Sequence, residues 1–502
     1  MNEGILIGVP AAADAAQVRA SEPEAHRRLR ENAPGLLALS ALLGLVYAVF
    51  FTDSSALGLN AVVFSAVWCV CAFTARRQLS LPRSADEPCR FAGILALAAA
   101  IFWSANGFIQ FVSAAGIALL QWFWALELAA DTRDWHFFKA VQAVPTLIVR
   151  LLARLPEPFV HLAGFRREGG GRVRDVLCGL LIAAPLAALV FVLLGSADAA
   201  FLALFDRLFG GVELPDRLWT LLRGLFFAVS AAAVFYALLC AQTARPVDGA
   251  QRPVRRASTL VAVTFCSVLA AMYAVFCLVQ IITLFSGSGA LLPEGYTYAG
   301  YARQGFFQLL AVSAINVLLV IVSQRRFESG RALRSVLCLI SGCTVIIEIS
   351  SAWRMYLYVQ AYGLTFLRLT VLWFLGVLLI VLGGAVRTVF RPEFRLFRFS
   401  MAVCLAAWLV FAFSRPDALA ARYDLDRFGP TDAVVDSILS QYTPDSLAEL
   451  APYLEQIRGT RNEYFLSEAM ESVHRQYRDA GFRGFNGSLR RAYETAEVYF
   501  DG

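Results

Sequence analysis

Residues 252–285 read RPVRRASTLVAVTFCSVLAAMYAVFCLVQIITLF: three arginines, then 29 residues from Ala257 to Phe285 without a charge. A helix needs about 20 apolar residues to satisfy its own backbone across the hydrocarbon core of a bilayer, and basic residues gather at its cytoplasmic end. The pattern recurs along the chain. Spans are predicted at 35–51, 56–74, 91–105, 107–130, 174–196, 217–241, 257–285, 304–322, 333–361, 364–386 and 396–413. With the N-terminus inside, the segments on that side carry 28 Lys and Arg, counting those at span ends, against 4 on the other. The expected fold is therefore all-α: a polytopic transmembrane helical bundle of about 11 spans. An odd number of spans places the C-terminal residues outside.

Working outward, the chain divides into a disordered cytoplasmic leader (1–34), the bundle (35–414) and a small extracytoplasmic helical domain (415–502). The composition fits, with 58% hydrophobic and 16% charged residues, far from the quarter of charged residues usual in soluble domains. From Arg415 onward 10 arginines face 15 acids, a net −5; the whole chain is +6, so the rest carries +11. A basic membrane part reflects cytoplasmic loops and anionic lipid, and no nucleic-acid partner is implied. Between spans, residues 135–152 (WHFFKAVQAVPTLIVRLL) repeat apolar residues at helical spacing and read as an interfacial helix kinked at Pro145, with a re-entrant segment the alternative. The tail reads as four short helices, with Thr443-Pro444-Asp445 a clear start signal.

Catalytic signatures are missing. The four histidines (26, 136, 161, 474) lie outside spans, the sole lysine is Lys139, and no GxSxG or HExxH occurs. Cys69 and Cys71 make a lone CxC, which suits small apolar filling better than a metal site. No catalytic residue, metal or cofactor is expected. Asp53, in a four-residue turn, is read as a helix cap in preference to an acid catalyst.

Embedded charges are costly and so mark candidate sites. Arg223, Glu348, Arg354, Arg368 and Arg303 all fall toward the outer side, with Tyr298 and Tyr301 nearby. Glu348 is placed in the outer third of its span, as counter-charge to one arginine. Four arginines against one glutamate suggest an anion pocket for an anionic lipid or small anion. Gln308 and Asn316 are intramembrane polar residues expected to face the bundle. Glu127, at the cytoplasmic end of its span, is expected to snorkel.

Three blocks carry a resemblance: residues 298–316 (YAGYARQGFFQLLAVSAIN), 354–368 (RMYLYVQAYGLTFLR) and 415–423 (RPDALAARY). Together they resemble a bacterial multi-pass membrane family catalogued as domain of unknown function 4173, related to 4153, over roughly residues 170–480. The resemblance implies a multi-pass protein of the bacterial cell (inner) membrane and no particular activity. The expected role is a non-catalytic envelope sensing or scaffold protein, with the lipid bilayer and an extracytoplasmic protein as partners. The alternatives are a transporter or lipid-handling protein using the arginine cluster and, third, an enzyme acting on a lipid phosphate.

Overall fold

The computed structural model describes residues 24–52, 54, 56–81, 84–129, 135, 137–164, 216–243, 257–285, 306–328 and 330–501, with isolated positions between 187 and 207. The span expected at 174–196, the leader before residue 24 and the block around Tyr298, Tyr301 and Arg303 lie outside these residues or almost so. Among the described residues nine helices have the length and apolar composition to cross a membrane. They are α2 (Ala33–Phe51), α3 (Leu59–Gln78), α5 (Gly107–Ala129), α8 (Asp216–Thr243), α9 (Thr259–Phe285), α10 (Phe306–Arg326), α11 (Arg331–Tyr362), α12 (Phe366–Phe390) and α13 (Leu396–Phe413). A further apolar helix, α4 (Glu87–Trp103), is 17 residues long and corresponds to the span expected at 91–105. No β-strand occurs among the described residues, and the chain is an all-α, multi-pass membrane protein.

The bundle packs around two cores. The first gathers α2, α3, α4, α5, α8 and α13 around Trp68, Trp124, Tyr236 and Trp408. Helices α2 and α8 approach closely, so that a Cβ on Gly44 would lie 2.1 Å from the Ala228 carbonyl oxygen. Only a residue without a side chain allows that approach, which gains backbone dispersion where no hydrophobic effect separates helix from lipid. The second core joins α9, α10, α11 and α12. Small residues on α9 (Ala262, Cys266, Ala270, Cys277) recur at helical spacing and are buried, again a close-approach stripe. An aromatic cluster of Phe366, Trp373, Trp408 and Phe411 links α12 to α13 and so one core to the other.

Two shorter helices modify the expected plan. Residues 24–31, assigned from composition to a disordered leader, form α1 (Glu24–Glu31). Its arginines stay at least partly exposed, while Leu29 is fully buried and His26 Nδ1 lies 3.3 Å from Thr243 Oγ1 on α8. Helix α6 (Phe137–Arg154) contains Pro145. It buries Ala140, Ala143 and Leu147 against Phe123, Leu126 and Trp135 and leaves Val144, Ile148, Val149 and Leu152 exposed. The short α7 (Glu157–Gly164) follows.

Past α13 the chain turns at Arg415, whose φ of 53° is left-handed, an uncommon state for a residue with a Cβ. The C-terminal helices are α14 (Pro416–Phe428), α15 (Asp432–Ser440), α16 (Pro444–Leu447), α17 (Leu454–Ile457), α18 (Glu463–Ala480) and α19 (Gly487–Asp501), with a 3-10 turn at Ala448–Tyr453. Thr443 starts α16 with a capping box shared with Ser446. Val435, Leu447, Leu450, Leu466, Met470, Val473 and Leu489 form their common core.

Candidate functional site

Buried polar groups collect at three levels of the bundle. At the arginine-rich end, Arg76 of α3, Glu87 and Arg90 of α4 and Glu127 of α5 form a closed network. Arg76 Nη1 lies 3.0 Å from Glu87 Oε1 and 4.0 Å from Glu127 Oε2. Arg90 donates to both Glu127 oxygens, at 2.7 and 2.5 Å, and Trp124 Nε1 donates to Glu87 at 3.2 Å. Two cations meet two anions, one pair in bidentate geometry, the arrangement that best offsets desolvation. Glu127 therefore does not snorkel. Its side chain is turned inward because Arg90, in the first turn of the neighbouring α4, is within reach.

At the arginine-poor end, the C-terminal helices are clasped to the bundle. The Asp445 carboxylate, fully buried, accepts from Ser104 at 3.0 Å, Arg415 at 2.9 Å and Arg491 at 3.2 Å. The ion pair to Asp445 holds Arg415 in its left-handed conformation. Asn486 Nδ2 reaches the carbonyls of Leu57, Ile101 and Ser104 at 3.3, 2.8 and 3.1 Å, satisfying the end of α4 and the turn before α3. The Leu59 amide donates to the Phe485 carbonyl at 2.9 Å. Gly58 is required beside it, because a Cβ there would lie 2.2 Å from that oxygen. Asn106 caps α5 through the amides of Phe108 and Ile109 and donates to Asp417 at 2.8 Å. Burial pushes the Asp417 carboxyl up to about 6, and the nearby Asp445 charge adds to that. A cavity of about 300 Å³ lies in this seam, lined by Ser54, Asn60, Gln110, Gln476 and Asn486 among others.

The second and third sequence blocks meet beside the seam. Gly363, with φ of 78°, ends α11 and places its backbone against Asp424. Asp424 accepts from the Leu364 amide at 2.6 Å, and Gln360 donates to the Tyr423 hydroxyl at 3.3 Å. Arg368 donates to the carbonyls of Tyr362 (3.0 Å) and Gly363 and covers the Tyr358 ring, 4.2 Å from its centroid. A cation there stabilises the C-terminal dipole of α11.

Near mid-depth lies a different set. Asn316 is the eleventh of 21 residues in α10, and its Nδ2 donates to Thr344 Oγ1 of α11 at 2.9 Å. Glu348 stands one turn beyond Thr344 and Ser313 one turn before Asn316, so in antiparallel helices both fall in the next layer. Glu348 is 3% exposed and Ser313 fully buried. Among the described residues, neither Glu348 oxygen, nor Ser313 Oγ, nor Asn316 Oδ1 has a hydrogen-bond partner.

The sequence-predicted residues thus separate. Glu348 is the eighteenth of 32 residues in α11, one turn past the Thr344 that Asn316 contacts. Glu348 is not the counter-charge of Arg354, whose Nη2 donates to Gln280 on α9 at 3.0 Å, nor of Arg368, which sits on helix-end carbonyls. Arg223 lies half-buried in α8, and Gln308 is exposed and does not face the bundle, whereas Asn316 does. Arg303, Tyr298 and Tyr301 lie outside the described residues. Sequence reasoning missed Asp417, Asp424, Asp445 and Asn486. The signal for Asp445 was the TPD triplet, read only as a helix start, and that for Asp417 the RPD triplet, read only as part of a family block.

With this geometry established, comparison with known proteins is informative in one respect. Residues 91–453 match the family described as Domain of unknown function (DUF4153). The chain belongs to this family. DUF4153 is the relative of family 4173 named from the three blocks, and the match takes in all three. No curated protein and no solved structure matches the chain.

Proposed function

We propose that this DUF4153 protein is a non-catalytic sensing or scaffold protein of the bacterial cell (inner) membrane. The arginine-rich ends of its spans face the cytoplasm, and its C-terminal helices form an extracytoplasmic cap. The observation that carries this reading is the seam. Asp445 and Asn486 tie the C-terminal helices to the end of α4 and the turn before α3, and Asp417 accepts from Asn106 at the start of α5, so a change at the cap is felt by α3, α4 and α5 directly. The cavity in the seam sets the amides of Asn60, Gln110, Gln476 and Asn486 and the Ser54 hydroxyl beside Phe51, Leu57 and Leu489, which suits a small polar solute or an exposed peptide group. The anion-pocket alternative has less support, since Arg354 and Arg368 are engaged separately, by Gln280 and by helix-end carbonyls.

The test is labelling of intact cells with a membrane-impermeant maleimide. Gln476→Cys, at the exposed rim of the cavity, should react from outside, and Asn60→Trp in the same chain should block the cavity and slow the reaction. Labelling of the Gln476→Cys variant only after the membrane is opened would overturn the orientation. A rate indifferent to Asn60→Trp would overturn the seam as the receiving site.

A further inference from the structure

We propose that Glu348, Ser313, Asn316 and Thr344 form a binding site for one sodium ion at the centre of the second core. The inference goes beyond the sensing role and uses none of the seam residues.

Ser313 lies between Leu310 and Val317 on α10, and Glu348 between Val345 and Ala352 on α11. Leu310 and Ala352 pack with Met355, Val371 and Leu375 in one apolar cluster. Val317 and Val345 pack with Leu378 and Leu382 in the next. The stripes are continuous, so the polar residues fill the layer between two apolar ones, at the junction of α10, α11 and α12. Lipid and water are both excluded there: Ser313, Asn316 and Thr344 are fully buried.

Every unpartnered atom in this layer is an oxygen. Thr344 Oγ1 donates to the Ile340 carbonyl at 2.8 Å, so it must accept from Asn316 and fixes which end of that amide is nitrogen. Asn316 Oδ1 is then an acceptor with nothing to accept. The two Glu348 oxygens are in the same condition, and the Ser313 hydroxyl, which could donate to Glu348 or Asn316, reaches neither. An unpartnered carboxylate in a medium of low dielectric must be neutralised. A proton on Glu348 would satisfy at most one further acceptor. A small hard cation satisfies all of them, since such ions take carboxylate, amide and hydroxyl oxygens together. A single carboxylate selects a monovalent ion. Of the packed helices, α9 brings Tyr273, Cys277 and Gln280 and α12 only aliphatic residues at 371, 375, 378 and 382. The cation nearest to Glu348 along α11, Arg354, donates to Gln280, and Arg331 and Arg334 stand in the first turn of the helix.

Full-length protein in detergent at pH about 8 is melted in about 100 mM NaCl, KCl or choline chloride, where ligand linkage reads out site occupancy. Sodium should raise Tm by several degrees over both other salts. The rise should shrink as pH falls, because protons compete for the carboxylate. Glu348→Gln should abolish it, and Ser313→Ala, which breaks no hydrogen bond, should weaken sodium affinity several-fold. Equal melting in the three salts, or a sodium effect that survives Glu348→Gln, would overturn the site. If Glu348→Gln does not fold, equilibrium binding of radioactive sodium to wild type and Ser313→Ala decides. One ion per chain, bound more weakly by the variant, supports the site. No binding, or equal binding by both, refutes it.

Discussion

Two buried acidic sites in one bundle are built on opposite principles. Glu87 and Glu127, in the first core, are enclosed by Arg76, Arg90 and Trp124, and their charges are balanced. Glu348, in the second, is as well buried yet has no partner for either oxygen among the described residues. The first arrangement is charge-balanced: removing any one of the two arginines and two glutamates leaves a charge stranded, and only Arg76 Nε among its buried side-chain atoms has no hydrogen-bond partner. The second is incomplete as it stands, and an incomplete polar site inside a membrane implies something that completes it. Burial alone therefore says little about role; the state of the hydrogen bonds says more.

The largest effect should come from breaking the charge-balanced network. Glu127→Gln leaves Arg90 facing a neutral amide in a dry environment, and loss of one partner from a buried pair costs about 3–5 kcal/mol. Thermal unfolding of the purified variant should show it, and a loss under about 1 kcal/mol would reduce the network to an ordinary surface pair. Next comes the seam. Asp445→Ala removes the acceptor of three donors and should cost about 2–4 kcal/mol. Because the C-terminal helices have their own core, the change should appear first as faster proteolysis near residues 429–431, with the spans still intact.

Gly44→Val tests whether the first core also depends on backbone approach. With Ala228 oxygen 2.1 Å from the added Cβ, α2 and α8 must separate, costing about 1–3 kcal/mol. A smaller effect belongs to Asp417. Its folded carboxyl titrates near 6, above the ordinary 3.8. This group therefore contributes stability as pH falls through that window and withdraws it as pH rises. Asp417→Asn, which keeps the acceptor for Asn106, should be more stable than wild type by about 1–2 kcal/mol above pH 7. The difference should vanish near pH 4, and a pH-independent difference would contradict burial as the cause.

Much of this architecture was legible in the chain. Uncharged runs such as 259–282 and 369–386, separated by arginines, dictate spans because lipid offers the backbone no alternative partner. The break between α4 and α5 was legible at Asn106, which caps α5 in the structure. Depth was not. Helix α11 is longer than a bilayer is thick, so its ends do not set the level of Glu348; the Asn316–Thr344 contact relates it to α10. Partners were not legible either. Arg354 and Arg368 look alike in sequence, but one finds an amide on a neighbouring helix and the other the end of its predecessor. Asp445 meets Ser104 across 341 residues, a pairing that no local pattern announces.

The contrast between a charge-balanced and an incomplete site is tested most directly by one paired measurement: thermal unfolding of Glu127→Gln and Glu348→Gln beside wild type, at pH about 8 in sodium-free buffer. Glu127→Gln should melt many degrees lower, in line with a buried pair broken. Glu348→Gln should melt at or above wild type, since no hydrogen bond is lost and a buried carboxylate without its cation is removed. A Glu348→Gln variant destabilised as severely as Glu127→Gln would show that Glu348 already has a partner in the bundle, and the account would fail.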